Sequence, residues 1–284
     1  MTSKTEIESL LFLMDDPDPF VQQSVESRLQ ELGEKAVPLL DEYRSEINGE
    51  DAKNRVNDVI HKLTFDNLES DFIDLLENGI KTRKTLETAI FTLARFGNPT
   101  LRISEYQKKL DHFAQMIEPQ IKYKLDEKRK MKRMLQFIFE DLNFRGDPNN
   151  YHAPKNCFLN QVVDRRKGLP ISLSLIVMFI ARRLEMPFFG INMPIHFMLN
   201  YVGDKEELLI DPYDNGAIVT YDQCYFFLKK NNIDPRPEHF QIATNLDVVL
   251  RCIRNLIHSY ERQEQLERVE DLQKLLNITE MYQD

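Results

Sequence analysis

The sequence predicts a predominantly helical α+β fold with a small antiparallel sheet. Apolar residues recur at helical spacing across residues 1–144 and again across residues 241–284. Between these regions, short apolar segments alternate with turns and predict three strands: Phe188–Asn192, Phe197–Val202 and Glu207–Ile210. Because the polar turn between the last two strands is short, these strands should pair as a hairpin.

The composition is that of an ordinary globular protein with room for two domains, or for one core with helical extensions. Of the 284 residues, 42% are hydrophobic and 29% are charged. The formal net charge of −9 argues against nucleic acid as a partner, because binding to phosphates needs concentrated Lys and Arg. The N-terminus lacks the pattern of a secretory signal, and the longest apolar run, Leu169–Ala181, is too short to span a bilayer. Three widely spaced cysteines do not suggest a disulfide framework, so we expect a cytoplasmic protein without a membrane segment.

The chain is expected to comprise four segments: helices in 1–64, helices packing on the core in 65–144, an α+β core in 145–240 and a helical hairpin in 241–284. In the first segment, an Asp-Pro-rich turn at Asp15–Pro19 separates two apolar stripes, of which the first contains Ile7, Leu10, Leu11 and Met14. This pattern resembles one HEAT repeat, which must pack on a neighbour to bury its apolar faces. Ala52–Leu63 should supply part of that neighbour.

The second segment contains residues that typically begin or end helices. Gly97 and Pro99 should end one helix, Ser104 and Gln107 should form a capping box, and Pro119 should open the next helix. Residues 122–133 carry a basic cluster that includes Lys124. The cluster is either a solvated face or a dock for an acidic partner, and its interruption by acidic residues favours the solvated face.

A histidine and an aspartate are expected to meet in the third segment. If Asp204-Lys205 is a two-residue turn, His196 lies opposite Tyr213, and Asp211 is its diagonal neighbour on the same face, with Cβ atoms within about 7–8 Å. A carboxylate at this position can orient a catalytic imidazole. It can equally hold a hairpin together, and the spacing alone favours that structural role.

Several ordered motifs between Phe65 and Ile278 resemble the SirB family of transglutaminase-like proteins, among them FIFEDLNFRGDPNNYHAPKN, VVDRRKGLPISLSL, NMPIHFMLNY and LLIDPYDNG. The two helices of the last segment resemble the TPR-like tail of that family, although one such pair is more typical of a packed hairpin than of a peptide groove. The family pattern singles out Asn156, Asn160, Arg165, Arg166, Gly168, Pro170, His196, Asp211 and Pro212.

The resemblance implies a core without its usual nucleophile. In the wider superfamily, the residue two after this glycine is a catalytic Cys at a helix start, where the helix lowers the thiol pKa. Pro170 occupies that position here. The chain also departs from the family at Ile195 and Glu185, which replace common glycines, and at Cys157, which replaces a common Ser. Bulk at Ile195 is expected to narrow any cleft beside His196.

The remaining candidate nucleophiles are Ser172, Ser174 and Cys157. A serine on a helix more often bonds a backbone carbonyl, and a cysteine beside a phenylalanine is more often a small buried hydrophobe. No spacing of histidines predicts a metal site, and no motif predicts a cofactor.

Asn156, Asn160, Arg165 and Arg166 are the candidate binding residues. The two arginines either recognise a carboxylate or form a solvated helix end, and the sequence favours neither. The leading hypothesis is a non-catalytic transglutaminase-like protein that binds another protein. The alternative is a cysteine or serine hydrolase or acyltransferase that uses His196 as base, Asp211 as orienting group and a displaced nucleophile.

Overall fold

The structure, a computed structural model, describes residues 4–13, 16–122 and 125–283 and is predominantly helical with a small antiparallel sheet. Met14 and Asp15 of the first stripe and turn, and Lys124 of the basic cluster, lie outside these residues. The chain divides into two compact units, one formed by residues 1–71 and 94–101, the other by residues 72–93 and 102–284. None of the described helices is long and apolar enough to cross a membrane.

The first unit is helical and has its own core. Its helices are α1 (Lys4–Leu13), α2 (Pro19–Leu32), α3 (Val37–Glu46) and the first part of α4 (Glu50–Glu77). Asp18 caps α2 by accepting the N–H of Phe20 at 2.9 Å, and Pro19 stands at the first helical position, where its missing N–H costs nothing. Ile7, Leu40 and Ile60 are fully buried in this core.

The second unit combines helices with the sheet. Its helices are α5 (Arg83–Ala94), α6 (Ile103–Ile121), α7 (Glu127–Gln136), α8 (Leu159–Arg165), α9 (Pro170–Arg183), α10 (Tyr221–Lys230), α11 (Asn245–Glu261) and α12 (Leu266–Glu280). Its strands are β1 (Arg145–Gly146), β2 (Lys167–Gly168), β3 (Phe188–Ile191), β4 (Met198–Val202), β5 (Glu207–Asp211) and β6 (Ala217–Val219). The sheet runs β3-β4-β5-β6 with antiparallel pairing throughout, whereas β1 and β2 form a separate parallel pair.

Helix α9 is the central element of the second unit. Every residue from Pro170 to Ala181 is buried, as its apolar sequence predicts. The hairpin β4–β5 has the predicted register, since Leu199 pairs with Ile210 and Val202 with Glu207. The N–H of Gly203 donates to the carbonyl of Glu206 at 3.1 Å, which closes the two-residue turn.

Two predicted helix boundaries are wrong. Pro119 does not open a helix but lies inside the last turn of α6, because a buried stripe continues past it to Ile121 and outweighs one lost hydrogen bond. Ser104 forms no cap, because α6 already begins at Ile103 and Ser104 therefore lies within its first turn. The next helix, α7, begins at Glu127 and is capped by Asp126.

Strand β6 and helix α10 were not predicted. The turn before β6 carries an Asn-Gly pair, Asn215 and Gly216, both with positive φ, which is a hairpin signal. Helix α10 buries only Cys224 and Leu228 and leaves large aromatic side chains exposed. Its apolar residues therefore do not form one buried stripe.

Candidate functional site

The start of α9 offers no nucleophilic atom. Leu169 is extended and precedes the helix, and Pro170 is its first residue. A proline fits this position because its φ is fixed near the helical value and its N–H is not needed. The position is buried and carries only a ring of carbon atoms at its side chain.

The hydroxyl of Ser172 serves the backbone around it. Its Oγ accepts the N–H of Leu169 at 2.8 Å and lies 2.8 Å from the carbonyl oxygen of Asn156, to which it donates. The side chain is 1% exposed. A hydroxyl has one proton to donate, so this bond leaves none to direct at a base. Ser174, two residues further along α9, donates to the carbonyl of Pro170 at 2.8 Å.

The thiol of Cys157 is enclosed and protonated. Its Sγ lies 3.5 Å from the Oγ of Ser259 on α11. Burial raises the pKa of the Cys157 thiol to about 12, against a smaller opposing effect of the Ser259 contact. The residue as a whole is half-buried, but its sulfur lacks the environment that forms a reactive thiolate.

His196 and Asp211 are brought together, as the register requires. The Nε2 of His196 lies 2.9 Å from the Oδ1 of Asp211. The ring N–H is not aligned with that oxygen, so the contact is a close approach without a well-directed hydrogen bond. Oδ1 instead accepts the backbone N–H of Tyr213 at 2.9 Å and that of Asp214 at 3.3 Å, which fixes the turn after β5. Within the described residues, no serine oxygen or cysteine sulfur forms a hydrogen bond with His196.

Aromatic rings surround His196. The centroid of its ring lies 6.3 Å from that of Tyr213 and 5.6 Å from that of Phe227 on α10. The ring of Tyr151 lies 5.9 Å from that of Tyr213. Gly146 permits this arrangement, because a Cβ at that position would come within 2.5 Å of the Tyr213 ring. Tyr213 followed from the predicted register, whereas Tyr151 and Phe227 carried no signal in the sequence.

Arg165 and Asn156 tie the loop before α8 to the helix. Arg165 donates to the carbonyl of Lys155 at 3.1 Å, to the Oδ1 of Asn156 at 3.0 Å and to the Oδ2 of buried Asp147 at 2.9 Å. The side-chain amide of Asn156 in turn donates to the carbonyl of Asn150 at 2.7 Å. The Arg165 guanidinium therefore binds a carboxylate of the same chain. That carboxylate belongs to Asp147, which the sequence analysis did not identify as a partner.

Arg166 and Asn160 also face the interior. Arg166 has φ +60°, and its guanidinium carbon lies 4.3 Å from the ring centroid of Phe113 and 4.6 Å from that of Phe144. Burial lowers the pKa of Arg166, and the two rings offset part of the cost of holding a charge there. Asn160 is 2% exposed, and its Oδ1 has no hydrogen-bond partner in the described part of the chain.

A pocket of about 500 Å³ lies away from this site, between the start of α7 and the β4–β5 turn. Glu127, Tyr201 and Glu206 are among the residues that line it. Lys128 of the basic cluster pairs with Glu206 at 2.8 Å, and Arg133 pairs with Asp141 at 3.3 Å. Such pairing is typical of a solvated face. Among the described residues, no three His, Cys, Asp or Glu side chains lie together as metal ligands would.

Sequence comparison identifies known proteins that are similar to this chain. The chain is similar to a UPF0162 protein of Xylella fastidiosa (strain Temecula1), with 26% identity over 194 residues that cover 66% of this chain and 69% of the relative. A UPF0162 protein of Vibrio cholerae is 26% identical over 199 residues, 68% of this chain and 69% of the relative. The human F-box only protein 21 is 31% identical over 99 residues, which cover 32% of this chain and 16% of that protein. No solved structure matches the chain. The sequence model of the transglutaminase-like superfamily matches residues 104–254, more than half of the chain, and the chain therefore belongs to this superfamily.

Proposed function

We propose that this protein is a non-catalytic transglutaminase-like protein that acts as a protein-interaction or regulatory module. The observation that carries the proposal is Pro170 at the first position of α9, where the resemblance to the superfamily implies a catalytic Cys. Acyl transfer through a covalent intermediate needs an attacking atom within about 2.6–3.2 Å of its base. Ser172 does not meet this requirement, because its hydroxyl donates to the backbone. Cys157 does not meet it either, because burial keeps its thiol protonated.

The segments at both ends support an interaction role. Helices α11 and α12 form a helical hairpin that resembles a TPR unit, and the helices of the first unit resemble a HEAT repeat, both of which commonly bind proteins. The related segment of F-box only protein 21 makes up 16% of that protein, so segments of this type occur as one part of longer chains. We place the chain in the SirB branch on the motifs quoted above and assign it to the cytoplasm, with a protein partner and no nucleic acid or cofactor.

One observation favours the alternative of a hydrolase or acyltransferase. His196 and Asp211 remain within 2.9 Å of each other, as a base and its orienting carboxylate would. That enzyme would need a nucleophile from elsewhere in the chain.

Labelling distinguishes the two functions. The native protein and the His196→Ala variant are treated with a fluorophosphonate, which marks activated serines, and with iodoacetamide, which marks activated thiols. We expect no labelling that depends on His196, because no described nucleophile contacts the imidazole. Stoichiometric labelling of the native protein that is lost in His196→Ala would establish the enzyme instead. Affinity capture from the native extract with chemical cross-linking tests the interaction role, and recovery of no specific protein counts against it.

A further inference from the structure

Helix α10 carries more exposed aromatic rings than any other helix that the structure describes. These rings belong to Tyr221, Tyr225, Phe226 and Phe227. The side chain of Phe226 is 72% exposed, and it points away from the molecule because the buried residues of the helix, Cys224 and Leu228, lie two positions before and after it. Monomeric proteins rarely leave such a group of apolar side chains in water, so we expect this face to bind a partner.

Two rings beside Phe226 are held in place by contacts within the second unit. Tyr225 stacks on Phe240, with 5.2 Å between the ring centroids and an interplanar angle of 5°. Phe227 flanks the other side of Phe226, and its ring centroid lies 5.6 Å from that of His196. A partner that binds at Phe226 therefore meets two rings that are already ordered, which lowers the entropic cost of binding.

The charged residues of the same face are arranged symmetrically about Phe226. Asp222 lies four residues before Phe226 and Lys230 four residues after it, so the three side chains share one face of the helix. Asp222 and Lys230 form no hydrogen bond or ion pair with any residue that the structure describes, whereas Lys229 pairs with Asp234 at 3.1 Å. The signs of these charges suit the helix dipole, but the dipole does not account for the exposed ring between them.

This arrangement is complementary to a second copy of itself. When two α10 helices pack antiparallel about a two-fold axis at Phe226, each residue faces the one that lies equally far on the other side of Phe226. The two Phe226 rings then meet at the axis, and Asp222 of each copy faces Lys230 of the other, about 6 Å along the helix. The net charge of −9 opposes association of two copies in general, but this face has one unpaired acid and one unpaired base and so carries no excess charge.

We propose that the protein forms a symmetric dimer through α10, in which the Phe226 rings pack together and Asp222 of each copy pairs with Lys230 of the other. One helix of 10 residues offers less area than the roughly 800 Å² per partner of a standard stable interface, so the dimer is weak and reversible, with a dissociation constant of about 100 µM. This inference goes beyond the proposed function and holds whether or not the protein is catalytic.

Sedimentation equilibrium between about 10 µM and about 1 mM protein tests the dimer. We expect the average mass to rise with concentration from that of one chain toward that of two. Phe226→Ala should weaken the dimer about tenfold, because both central rings are lost. Phe20→Ala is the matched control: it removes a ring on α2 that is 75% exposed and should leave the dimer unchanged.

Charge reversal tests the antiparallel arrangement. Asp222→Lys and Lys230→Asp should each weaken the dimer about tenfold, because two pairs of like charge replace two pairs of opposite charge. An equimolar mixture of the two variants should recover the native affinity, because every pair in the mixed dimer is again of opposite sign. The double variant should recover it for the same reason. Circular dichroism checks that each variant is folded, and the test of Phe226→Ala does not depend on these variants.

The outcomes separate this inference from the proposed function. A native protein that stays monomeric at about 1 mM would overturn the inference and leave the α10 face to a different protein. Native-like dimerisation of Phe226→Ala, or a mixture that dimerises no better than its two components, would also overturn it, since another surface or orientation would then be used. None of these results changes the assignment as a non-catalytic protein. Labelling that depends on His196 would overturn that assignment and leave the dimer in place.

Discussion

Ile195 adopts a backbone conformation that β-branched residues rarely occupy. Its φ is +57°, in the left-handed region, where a Cβ approaches the following carbonyl oxygen. Glu185, the other position where the resemblance implies a glycine, has φ +55°. At both positions, a side chain therefore stands where the backbone conformation favours glycine. Ile195 is 49% exposed, so we expect its main effect to be on the backbone.

Replacing Ile195 by glycine should stabilise the protein. The left-handed conformation costs a branched residue about 1–2 kcal/mol, and glycine loses about 0.5–1 kcal/mol through its more flexible unfolded state. We expect Ile195→Gly to raise the free energy of unfolding by about 1 kcal/mol in urea denaturation. Glu185→Gly is the matched control and should gain less, because glutamate is not branched at Cβ. A lower free energy of unfolding for Ile195→Gly would contradict this explanation.

Gly168 is required for a different reason, a close approach of side chains. A Cβ at this position would lie 2.4 Å from the Oγ of Ser172 and 3.0 Å from a methyl group of Val162. Ser172 cannot move aside without breaking its bonds to Leu169 and Asn156. We expect Gly168→Ala to lower the free energy of unfolding by about 1–3 kcal/mol, the usual cost of overpacking.

A double-mutant cycle tests the cause. Ser172→Ala alone should also destabilise, because two backbone groups lose their partner. In the double variant, the removed hydroxyl makes room for the new methyl group, so the two losses should be less than additive. Strict additivity would show that Gly168 is needed for something other than its distance from Ser172.

At the scale of elements, a buried ion cluster fixes α5 and α6 to α9. Glu87 on α5 is 1% exposed and accepts hydrogen bonds from Arg182 at 2.9 Å and from Arg183 at 2.6 Å. Arg183 also pairs with Asp111 on α6 at 2.6 Å. Removal of the one buried carboxylate leaves two guanidinium groups without their shared partner.

We expect Glu87→Gln to lower the free energy of unfolding by about 3–5 kcal/mol, because it breaks a buried pair. Glu280→Gln is the matched control, since it breaks an exposed pair with Arg254 and should cost at most about 1 kcal/mol. Thermal and urea denaturation of both variants measure the difference. Similar losses for the two would mean that the buried cluster contributes no more than a surface pair.

The sequence predicted those elements whose apolar residues have a clear period. The buried face of α9 and the register of β4–β5 follow from short-range patterns, and both are observed. Helix α10 was missed because its exposed aromatic residues obscure the period of Cys224 and Leu228. Pro119 misled the prediction, because the local signal of a proline was weaker than the burial of the stripe around it. The pair of Glu87 with Arg183 could not be predicted, since 96 residues separate its members.

At the scale of the whole molecule, the candidate site draws on separate segments of the second unit. The meeting of His196 and Asp211 was predictable because one hairpin carries both residues. The hydrogen bonds of Ser172 to Asn156 and of Arg165 to Asp147 join residues from different elements, so no local sequence pattern predicts them. The same holds for Arg251 on α11, which donates to the Oδ1 of Asn192 at 3.0 Å. Tertiary packing, rather than local sequence, determines which polar groups are left free to bind.

The three cysteines offer a test of this packing across the second unit. Burial raises the pKa of all three thiols, that of Cys157 to about 12. Because the folded state keeps these protons, burial stabilises the fold below about pH 9, and this contribution is lost as the pH rises through about 12. The rate of alkylation measures the same pKa shift. Only thiolates react with iodoacetamide, so at about pH 8 the thiol of native Cys157 should react about a thousandfold more slowly than the same thiol in urea.

Mass spectrometry of each cysteine measures these rates, and His196→Ala should leave them unchanged. If one native thiol reacted as fast as in urea and slowed in His196→Ala, that cysteine would be activated by the imidazole, and the absence of a nucleophile could no longer be maintained.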